Sequence, residues 1–338
     1  MTLKERLGVL TSLGEYLRLH DDRLQAHMHR ASTDNPWFTP ENIRFALDQI
    51  TAWLLNEEAL MSWTKELKST DRPKRVGVIM AGNIPLVGFH DLLCVFVSGN
   101  ISIIKLSEKD KYLIPFLIKV LGELDARTTA YFEVVDKLQE FDAVIATGSN
   151  NSARYFEYYF SKYPHIIRRN RNAVAVLDGT ESDTELSGLC DDLFIYFGLG
   201  CRSVSHCFVP HGYDFSRLIG QMKRYEHLSN HNKYRNNLDY NMALHMLNKV
   251  PHISIPNLIL LENPALISPV GCLYYTFYQD REMVFETLKS QRGEIQCVVT
   301  NQDISGLPCV RFGDVQKPAL DDYADGIDTL AFLQNLNG

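Results

Sequence analysis

Cys201 combines the features that an enzymatic nucleophile needs more fully than the other cysteines of this chain. It follows Gly198-Leu199-Gly200, precedes Arg202 and lies between an apolar helical run and a strand-like run. Glycine lets the backbone approach a substrate carbonyl closely, and a neighbouring cation favours the thiolate, which is the nucleophilic form of cysteine. The pattern therefore predicts a nucleophile loop at Cys201, with simple packing as the alternative.

The other six cysteines are better explained as small buried hydrophobes. Five of them lie in apolar helical or strand-like stretches, namely Cys94, Cys190, Cys207, Cys272 and Cys297. Cys309 follows a proline and has no distinctive context. Because the seven cysteines form no CxxC pair, we expect neither a metal site nor a disulfide framework, and we expect a reducing, cytoplasmic setting.

Polar side chains follow two short apolar strands in the first half of the chain. The strand at 75–80 leads to Gly82-Asn83, and the strand at 101–105 ends in Lys105 and is followed by Ser107. An asparagine amide can stabilise a developing oxyanion, and a lysine beside a serine can bind ribose or phosphate oxygens. The structural alternatives are a turn at Asn83 and an ordinary surface position for Lys105.

A third loop, after the strand at 143–147, carries Gly148-Ser149 directly before a predicted helix. The N-terminus of a helix is a natural seat for a phosphate, although a serine that merely caps the helix has the same sequence signature. No G-x-G-x-x-G motif follows any predicted strand. A dinucleotide would therefore be bound differently from the way in which common dehydrogenases bind it.

The elements that must position these loops alternate between short apolar strands and amphipathic helices. Five strands are predicted between residues 71 and 178, at 75–80, 101–105, 131–135, 143–147 and 173–177. Such alternation is typical of βαβ units and a largely parallel sheet. We therefore predict an α/β protein with a helical N-terminal segment (1–70), a Rossmann-like cofactor-binding domain (71–180), an α/β catalytic domain (181–310) and a C-terminal segment (311–338).

Bulk properties exclude several functional classes. The 338 residues are 45% hydrophobic and 22% charged, as in ordinary globular proteins, and the formal net charge of -7 argues against a nucleic-acid binder. We interpret the basic cluster at 168–171 as a solvated turn, and the polar tract at 226–241 as a surface loop or a substrate mouth. No apolar signal core or membrane-length apolar stretch is seen, so we expect neither secretion nor a membrane span.

Taken in order, these loops resemble the aldehyde dehydrogenase superfamily, and specifically its LuxC-type acyl-CoA reductases. Asn83-Ile84-Pro85-Leu86 resembles the segment whose asparagine holds the substrate oxyanion. Residues 103–108, with Lys105, resemble the segment that contacts the adenosine ribose, and Thr147-Gly148-Ser149 resembles the cofactor-binding turn. Gly200-Cys201-Arg202-Ser203 resembles the nucleophile loop, and the similarity extends from about residue 75 to residue 210.

The resemblance implies NADPH-dependent reduction of an acyl-CoA thioester, with a fatty acyl group, to the aldehyde through an acyl-cysteine at Cys201. Acid-forming relatives carry a glutamate that activates water, whereas the comparable stretch here, residues 166–172, has no carboxylate. Residues 264–267 also lack the carboxylate that contacts the second cofactor ribose in the superfamily. An acyl-carrier protein is an alternative acyl donor, and the chain can form a homo-oligomer.

Three alternatives to this function stay open at this point. The same chemistry can run in reverse, as oxidation of an aldehyde to acyl-CoA, and the chain can be a nucleotide-binding or partner protein that lost catalysis. A thiol acyltransferase or hydrolase would need a histidine base near Cys201. His206 is the nearest candidate, but it lies in a predicted strand, where we expect it to pack.

Overall fold

The computed structural model describes residues 1–68, 70 and 72–336. The chain divides into two compact units, of which the first comprises Met1–Asn170 and Pro318–Gly338 and the second comprises Arg171–Lys317. Each unit has its own β-sheet. The functional division into cofactor-binding and catalytic parts stays a prediction.

The first unit begins with the helical segment that the sequence predicts. Its helices are α1 (Leu3–Arg18), α2 (Asp22–Asp34), α3 (Pro40–Gln49) and α4 (Glu57–Trp63), with a π-helical turn at Ile50–Leu54. The side chains of the N-cap residues cap the four helices, each by accepting a backbone N–H of the first turn. These residues are Thr2, Asp21, Thr39 and Asn56. Such caps satisfy the backbone donors of the first helical turn. The helix α3 therefore begins with two residues that favour a helix N-terminus, the Thr39 cap and Pro40 at the first helical position.

Five parallel strands form the sheet of the first unit. They are β1 (Arg75–Ile79), β2 (Ile101–Lys105), β3 (Phe132–Val134), β4 (Ala143–Thr147) and β5 (His165–Arg168). The helices α5 (Phe89–Val97), α6 (Leu113–Leu124) and α7 (Asn150–Phe160) connect them, and the spatial order is β3-β2-β1-β4-β5. The central strands are almost wholly buried, which explains their continuous apolar sequences.

One predicted strand belongs to the other sheet. The strand predicted at 173–177 is β6 (Asn172–Val176), and it pairs with two strands of the second unit. The fifth strand of the first sheet is instead β5, which the sequence pattern did not indicate. Alternation of strands and helices predicts parallel strands, but it does not specify the sheet that each strand joins, because pairing depends on contacts between residues far apart in the chain.

The second unit is built on a sheet of seven strands in the order β12-β11-β6-β7-β10-β9-β8. Its other strands are β7 (Val204–Pro210), β8 (Ile253–Ile255), β9 (Leu258–Glu262), β10 (Cys272–Tyr278), β11 (Ile295–Val299) and β12 (Cys309–Val310). Its helices are α8 (Asp183–Phe194), α9 (Ser216–Met222), α10 (Asn232–Leu247) and α11 (Arg281–Ser290). All the pairings are parallel except that of β8 with β9, which is antiparallel.

The polar tract at 226–241 is helical, which corrects its interpretation as a surface loop. A 3-10 helix covers Lys223–Asn230, and α10 follows it. The His231 side chain accepts the backbone N–H of Tyr234, and Tyr234, Leu238 and Asn241 are buried on one side of α10. Asparagine and histidine have low helix propensity, so here the tertiary packing of one face overrides the local preference.

The C-terminal segment is shared between the two units. Residues up to Lys317 belong to the second unit, and those from Pro318 onwards, including α12 (Thr329–Asn335), belong to the first. In the part of the chain that the structure describes, every helix is too short or too polar to traverse a lipid bilayer.

Candidate active site

The first unit brings the predicted polar loops to one edge of its sheet. The strand β1 lies between β2 and β4, with Ile79 opposite both Lys105 and Ala146. Because the three strands are parallel and in register, the loops that follow them leave the sheet at the same edge. Asn83, the pair Lys105 and Ser107, and the pair Gly148 and Ser149 therefore extend from adjacent strand ends, as the general rule for such sheets predicts.

Gly82 explains how two of these loops approach each other. A Cβ at this position would clash with the Ser107 side chain, whose Cβ atom would lie at 2.8 Å, and it would lie 3.0 Å from the Lys109 Cβ atom. The glycine is therefore required for space, and not for the unusual backbone angle that its type suggests. This close contact brings the loop that carries the half-buried Asn83 next to the segment that follows β2.

Asp110 fixes the other end of the Asn83 loop. The backbone N–H of Leu86, a residue with a φ of 58°, donates to Asp110 Oδ2 at 2.8 Å. Burial raises the pKa of the Asp110 carboxyl to about 6, although hydrogen bonds from Leu86 and Leu113 act to lower it. A positive φ is costly for a leucine, and the buried acceptor stabilises it here. Sequence reasoning missed Asp110, because it has no periodic or motif context.

Ser149 is the N-cap of α7. Its Oγ atom accepts the backbone N–H of Ser152 at 3.2 Å. Gly148 donates its N–H to the Arg168 carbonyl oxygen at 3.3 Å, and a Cβ on it would lie 2.9 Å from side-chain atoms of Phe156 and Ser152. Ser149 therefore does cap the helix, as the structural alternative in the sequence analysis states. The same turn presents a helix N-terminus at the sheet edge, where an anion is favoured.

The basic cluster at 168–171 is not a solvated turn throughout. Arg168 is buried, and its guanidinium donates to both Asp91 oxygens at 2.6 and 2.7 Å and to Thr329 Oγ1 at 2.8 Å. Burial by itself lowers the pKa of Arg168, but the charge and hydrogen bonds of Asp91 raise it above its ordinary value. Arg169, in contrast, forms an exposed ion pair with Glu157.

In the second unit, the chain that leads to Cys201 has a strained backbone. Tyr196, Phe197 and Gly198 have consecutive positive φ values of 57°, 59° and 73°. Such a conformation costs about 1–3 kcal/mol for each non-glycine residue and persists only where packing enforces it. Strain of this kind is concentrated at active sites, so the run supports the assignment of a functional loop here.

Aromatic packing enforces this strained run. The Phe197 ring lies 4.5 Å from the His231 ring and 5.8 Å from the Tyr234 ring, measured between centroids. Tyr234 is in turn fixed by a hydrogen bond from its hydroxyl to the Asn257 carbonyl oxygen at 2.7 Å. The first part of α10, which the sequence interpretation assigned to a loop or a substrate mouth, therefore supports the segment before Cys201.

Cys201 itself lies in a tight turn and is half-buried. The Ser203 N–H donates to the Gly200 carbonyl oxygen at 3.0 Å, and the Gly200 N–H donates to Ser203 Oγ at 3.2 Å. A third bond, from Gln316 Nε2 to Ser203 Oγ at 3.3 Å, joins the turn to the C-terminal segment. The reciprocal bonds close the turn on both sides of Cys201, and β7 begins directly after it.

The remaining cysteines agree with the packing interpretation. The five that lie in apolar stretches are all buried. Burial raises the pKa of the Cys94, Cys190, Cys207 and Cys272 thiols, which disfavours the thiolate. Cys309 is half-buried, and burial raises its thiol pKa as well.

His206 packs, as expected. It is fully buried on β7, its Nδ1 donates to the Ala265 carbonyl oxygen at 2.8 Å, and burial lowers its pKa to about 4. A group with so low a pKa is a poor general base at neutral pH. Among the described residues, no group of three histidine, cysteine, aspartate or glutamate side chains could hold a metal ion.

Comparison with models of known protein families identifies the family of this chain. A family model described as acyl-CoA reductase (LuxC) matches residues 22–231, which is more than half of the chain. The chain belongs to this family. The protein is accordingly an oxidoreductase that acts on acyl or aldehyde groups, and the family implies an acyl thioester as substrate. No curated protein matches it by sequence.

Solved structures that resemble this fold include aldehyde dehydrogenases. Aldehyde dehydrogenase 21 from Physcomitrella patens, in complex with succinate, is 11% identical, with 100% of this chain and 85% of that chain covered and a TM-score of 0.70. An NAD+ complex of aldehyde dehydrogenase from Bacillus cereus is 12% identical, with 89% and 72% covered and a TM-score of 0.64. An acetylating aldehyde dehydrogenase from Geobacillus thermoglucosidasius is 12% identical, with 95% and 86% covered and a TM-score of 0.60. The fold is therefore aldehyde-dehydrogenase-like.

Proposed function

We propose that this protein reduces a fatty acyl-CoA to the aldehyde with NADPH, through a thioester on Cys201. The observation that supports this proposal most strongly is the family match, because residues 22–231 include both the Asn83 loop and the Cys201 turn. The strained backbone before Cys201 and the polar sheet edge of the first unit agree with it.

In the first half of the proposed reaction, the Cys201 thiolate attacks the thioester carbonyl carbon. A new carbon–sulfur bond forms, the bond to the coenzyme A sulfur breaks, and coenzyme A leaves as its thiolate, which then takes a proton from solvent. The Asn83 amide and the Cys201 backbone N–H would stabilise the oxyanion of the tetrahedral intermediate, as preorganised donors do in other acyl-transfer enzymes.

In the second half, the acyl-cysteine is reduced and cleaved. When bound, NADPH supplies the hydride that reduces the acyl carbon. The resulting thiohemiacetal oxyanion would again be held by Asn83, and its collapse breaks the bond to the Cys201 sulfur. The aldehyde leaves, and the thiolate is ready for another cycle.

The residues at the sheet edge of the first unit fit the cofactor chemically. Lys105 offers an ammonium group, Ser107 and Ser149 offer hydroxyls, and Gly148 begins the turn at the N-terminus of α7. We propose that Lys105 and Ser107 bind the adenosine ribose with its 2′-phosphate, and that the turn binds the pyrophosphate. The named neighbours, which include an NAD+ complex, support a nicotinamide cofactor.

The sequence after β5 supports reduction over hydrolysis. Residues 169–172 are Arg169-Asn170-Arg171-Asn172, without a carboxylate to activate water, and Arg168 is engaged with Asp91. An acyl-cysteine that is not readily hydrolysed persists long enough to receive a hydride. The buried, low-pKa His206 also speaks against the acyltransferase and hydrolase alternatives.

The proposal is tested by the consumption of NADPH, followed at 340 nm, with acyl-CoA substrates. Replacement Cys201→Ser should lower the rate at least about a thousandfold, because removal of a nucleophile usually costs this much or more. Cys309→Ser is the matched control, since this thiol is also half-buried, and it should leave the rate unchanged. A Cys201→Ser protein that retains the parent rate would disprove the mechanism.

Oxidation of an aldehyde to acyl-CoA is the second candidate, and the acetylating aldehyde dehydrogenase among the neighbours favours it. NADP+ reduction with aldehyde and coenzyme A, compared with the reverse rate, separates the two. A series of chain lengths, supplied on coenzyme A and on an acyl-carrier protein, tests the fatty substrate and its donor. We further propose a cytoplasmic homo-oligomer, and light scattering tests its oligomeric state.

A further inference from the structure

The segment Phe312–Lys317, which we call the C-terminal clasp, lies against α8 within the second unit. A Cβ at Gly188 on α8 would lie 2.8 Å from the Phe312 carbonyl oxygen and 2.9 Å from the Gly313 nitrogen. Gly313 has a φ of 86°, and a Cβ on it would lie 3.0 Å from the Gly188 Cα. Two glycines therefore allow backbone-to-backbone contact, which is as close as two chain segments can pack.

A buried carboxylate joins the C-terminal clasp to the end of the same helix. Asp192 Oδ2 accepts the Gly313 N–H at 2.8 Å, and Oδ1 accepts the Val315 N–H at 3.4 Å. Asp192 is 1% exposed, so these bonds are shielded from water. The helix α8 ends at Phe194, two residues after Asp192. The strained run that leads to Cys201 follows it and begins at Tyr196.

The C-terminal clasp also reaches past the helix to the nucleophile turn. The Gln316 Nε2 atom donates to Ser203 Oγ at 3.3 Å, and both side chains are buried. The same Ser203 oxygen accepts the Gly200 N–H, and the space beside Gly200 is filled by Ser203 and Gln316. Gln316 therefore touches the structure that closes the turn, although it lies more than 100 residues after Cys201 and outside the matched range 22–231.

We infer that Gln316 is a positioning residue for the Cys201 nucleophile. The inference rests on the proposed role of Cys201 and extends it, because it assigns to the C-terminal clasp the task of holding the nucleophile turn. The Gln316 amide fixes the Ser203 hydroxyl, the hydroxyl fixes the Gly200 N–H, and the turn between them sets the direction of the Cys201 side chain.

The physical basis is the sensitivity of catalysis to the placement of the reacting atom. A misplacement of about 1 Å can cost about a hundredfold in rate. After the loss of the Gln316 bond, the two hydrogen bonds within the turn can still close it. The geometry seen in the structure then competes with other geometries of the turn. The Gly188 contact and the Asp192 hydrogen bonds attach the C-terminal clasp to α8, and this attachment holds the Gln316 amide in place.

The test compares Gln316→Met, which keeps the side-chain length and removes the amide, with Ser203→Ala and with the double variant. Alkylation of Cys201 by iodoacetamide is measured by peptide mass spectrometry, so that the other six thiols do not interfere. This readout needs neither substrate nor cofactor, and it distinguishes failure of this inference from failure of the proposed function. Lys317→Ala is the control, since this exposed lysine pairs with Asp314 on the same segment.

We expect Gln316→Met to change the Cys201 alkylation rate about tenfold or more and to lower kcat by a similar factor, with the KM for NADPH changed less than twofold. Ser203→Ala removes the bond from Gln316 and also the bond from the Gly200 N–H, so its effect should be at least as large. The double variant should add little to Ser203→Ala, because Gln316 acts through the Ser203 hydroxyl. Lys317→Ala should leave all three quantities unchanged.

An alkylation rate equal to that of the parent in folded Gln316→Met protein would overturn the inference, even if the unfolding midpoint falls, since a purely structural role predicts that result. Fully additive effects in the double variant would overturn it as well. If Gln316→Met does not fold, Ser203→Ala carries the comparison with the parent protein, because it removes the Gln316 bond from the other side together with the Gly200 bond. A parent-like alkylation rate in Ser203→Ala would then overturn the inference.

Discussion

Each unit of this protein uses a buried carboxylate to hold a late part of the chain against an earlier helix, but the two carboxylates have different partners. Asp91 on α5 faces the guanidinium of Arg168, which also reaches Thr329 on α12. Asp192 on α8 accepts backbone N–H groups of Gly313 and Val315. The first carboxylate thus has a full countercharge, whereas the second has only backbone dipoles.

This difference determines how each attachment responds to mutation and to pH. Burial raises the pKa of Asp192 to about 7, with smaller upward contributions from Asp191 and Asp314, and the two backbone bonds only partly oppose it. In the other cluster, Asp91 raises the pKa of Arg168, so the cation persists at any physiological pH. We therefore expect the Arg168 cluster to depend on its charges and the Asp192 contact to depend on protonation.

The largest effect should come from removal of one charge of the buried pair. Arg168→Met should lower the free energy of unfolding of the first unit by about 3–5 kcal/mol, because Asp91 is left buried without a countercharge. Urea unfolding followed by tryptophan fluorescence measures this unit, since all three tryptophans, at 37, 53 and 63, lie in it.

Two matched variants sharpen this prediction. The double variant Arg168→Met with Asp91→Leu should recover most of the loss, as replaced buried pairs often do. The neighbouring Arg169→Met breaks an exposed pair with Glu157 and should change the unfolding free energy by no more than about 1 kcal/mol. Equal losses at Arg168 and Arg169 would show that the buried pair has no special role.

The second effect is a dependence of stability on pH at Asp192. The folded state keeps the Asp192 proton up to about pH 7, whereas the unfolded chain releases it near the ordinary value of 3.8. Stability from this group is therefore greatest below about pH 4 and declines as the pH rises towards 7, by up to about 1.4 kcal/mol per pH unit. Asp192→Asn should remove this slope.

Unfolding by urea at a series of pH values, followed by circular dichroism, measures the slope in the parent and in Asp192→Asn. Asp110, whose pKa is raised to about 6, contributes to both proteins equally, so the difference between the curves reports Asp192. Parallel curves for the two proteins would show that Asp192 is ionised in the folded state at ordinary pH.

The third effect tests the close contact that accompanies the Asp192 bonds. Gly188→Ala adds a Cβ within 2.9 Å of the backbone of the C-terminal clasp, and it should destabilise the second unit by about 1–3 kcal/mol. Gly220→Ala in α9 is the control, because no atom lies within 4 Å of its added Cβ, and it should stabilise by up to about 1 kcal/mol. Circular dichroism during denaturation measures the stability change of each variant. Changes of the same sign at Gly188 and Gly220 would contradict the close contact at Gly188.

The smallest effect concerns the third member of the Arg168 cluster. Thr329→Val keeps the shape of the side chain and removes the hydroxyl that accepts from Arg168, so it should cost about 1–2 kcal/mol. Tryptophan fluorescence again measures the first unit. A loss as large as that of Arg168→Met would mean that the hydroxyl, and not the Asp91 charge, is the main partner of the guanidinium.

The local elements could be predicted well, because their patterns are properties of neighbouring residues. The strands at 101–105 and 143–147 have the predicted limits. The strand β5 was missed because it is short, and the first part of α10 was misinterpreted because its polar composition conceals a buried face. The turn at Cys201 was singled out from its glycines and its cysteine, and its role as nucleophile stays a prediction, while Gln316 has no local signal.

A weak signal for Asp192 was present in the sequence. On α8 it stands among Leu189, Cys190 and Leu193, all of which are buried, and a carboxylate among apolar residues is worth attention. Its partners, however, are backbone N–H groups some 120 residues later, and every residue type except proline carries such a group. No sequence pattern could therefore have identified them.

The sequence alone determined the class of fold, the alternation of strands and helices and the resemblance that pointed to Cys201, Asn83, Lys105, Ser107, Gly148 and Ser149. These features depend on side-chain type and on short spacings, which folding does not change. Only the tertiary structure decided which sheet β6 joins, why Gly82 must be a glycine, how Arg168 is neutralised and how the C-terminal clasp reaches the turn at Cys201. Each of these depends on contacts between residues far apart in the chain, and those contacts exist only after the chain has folded.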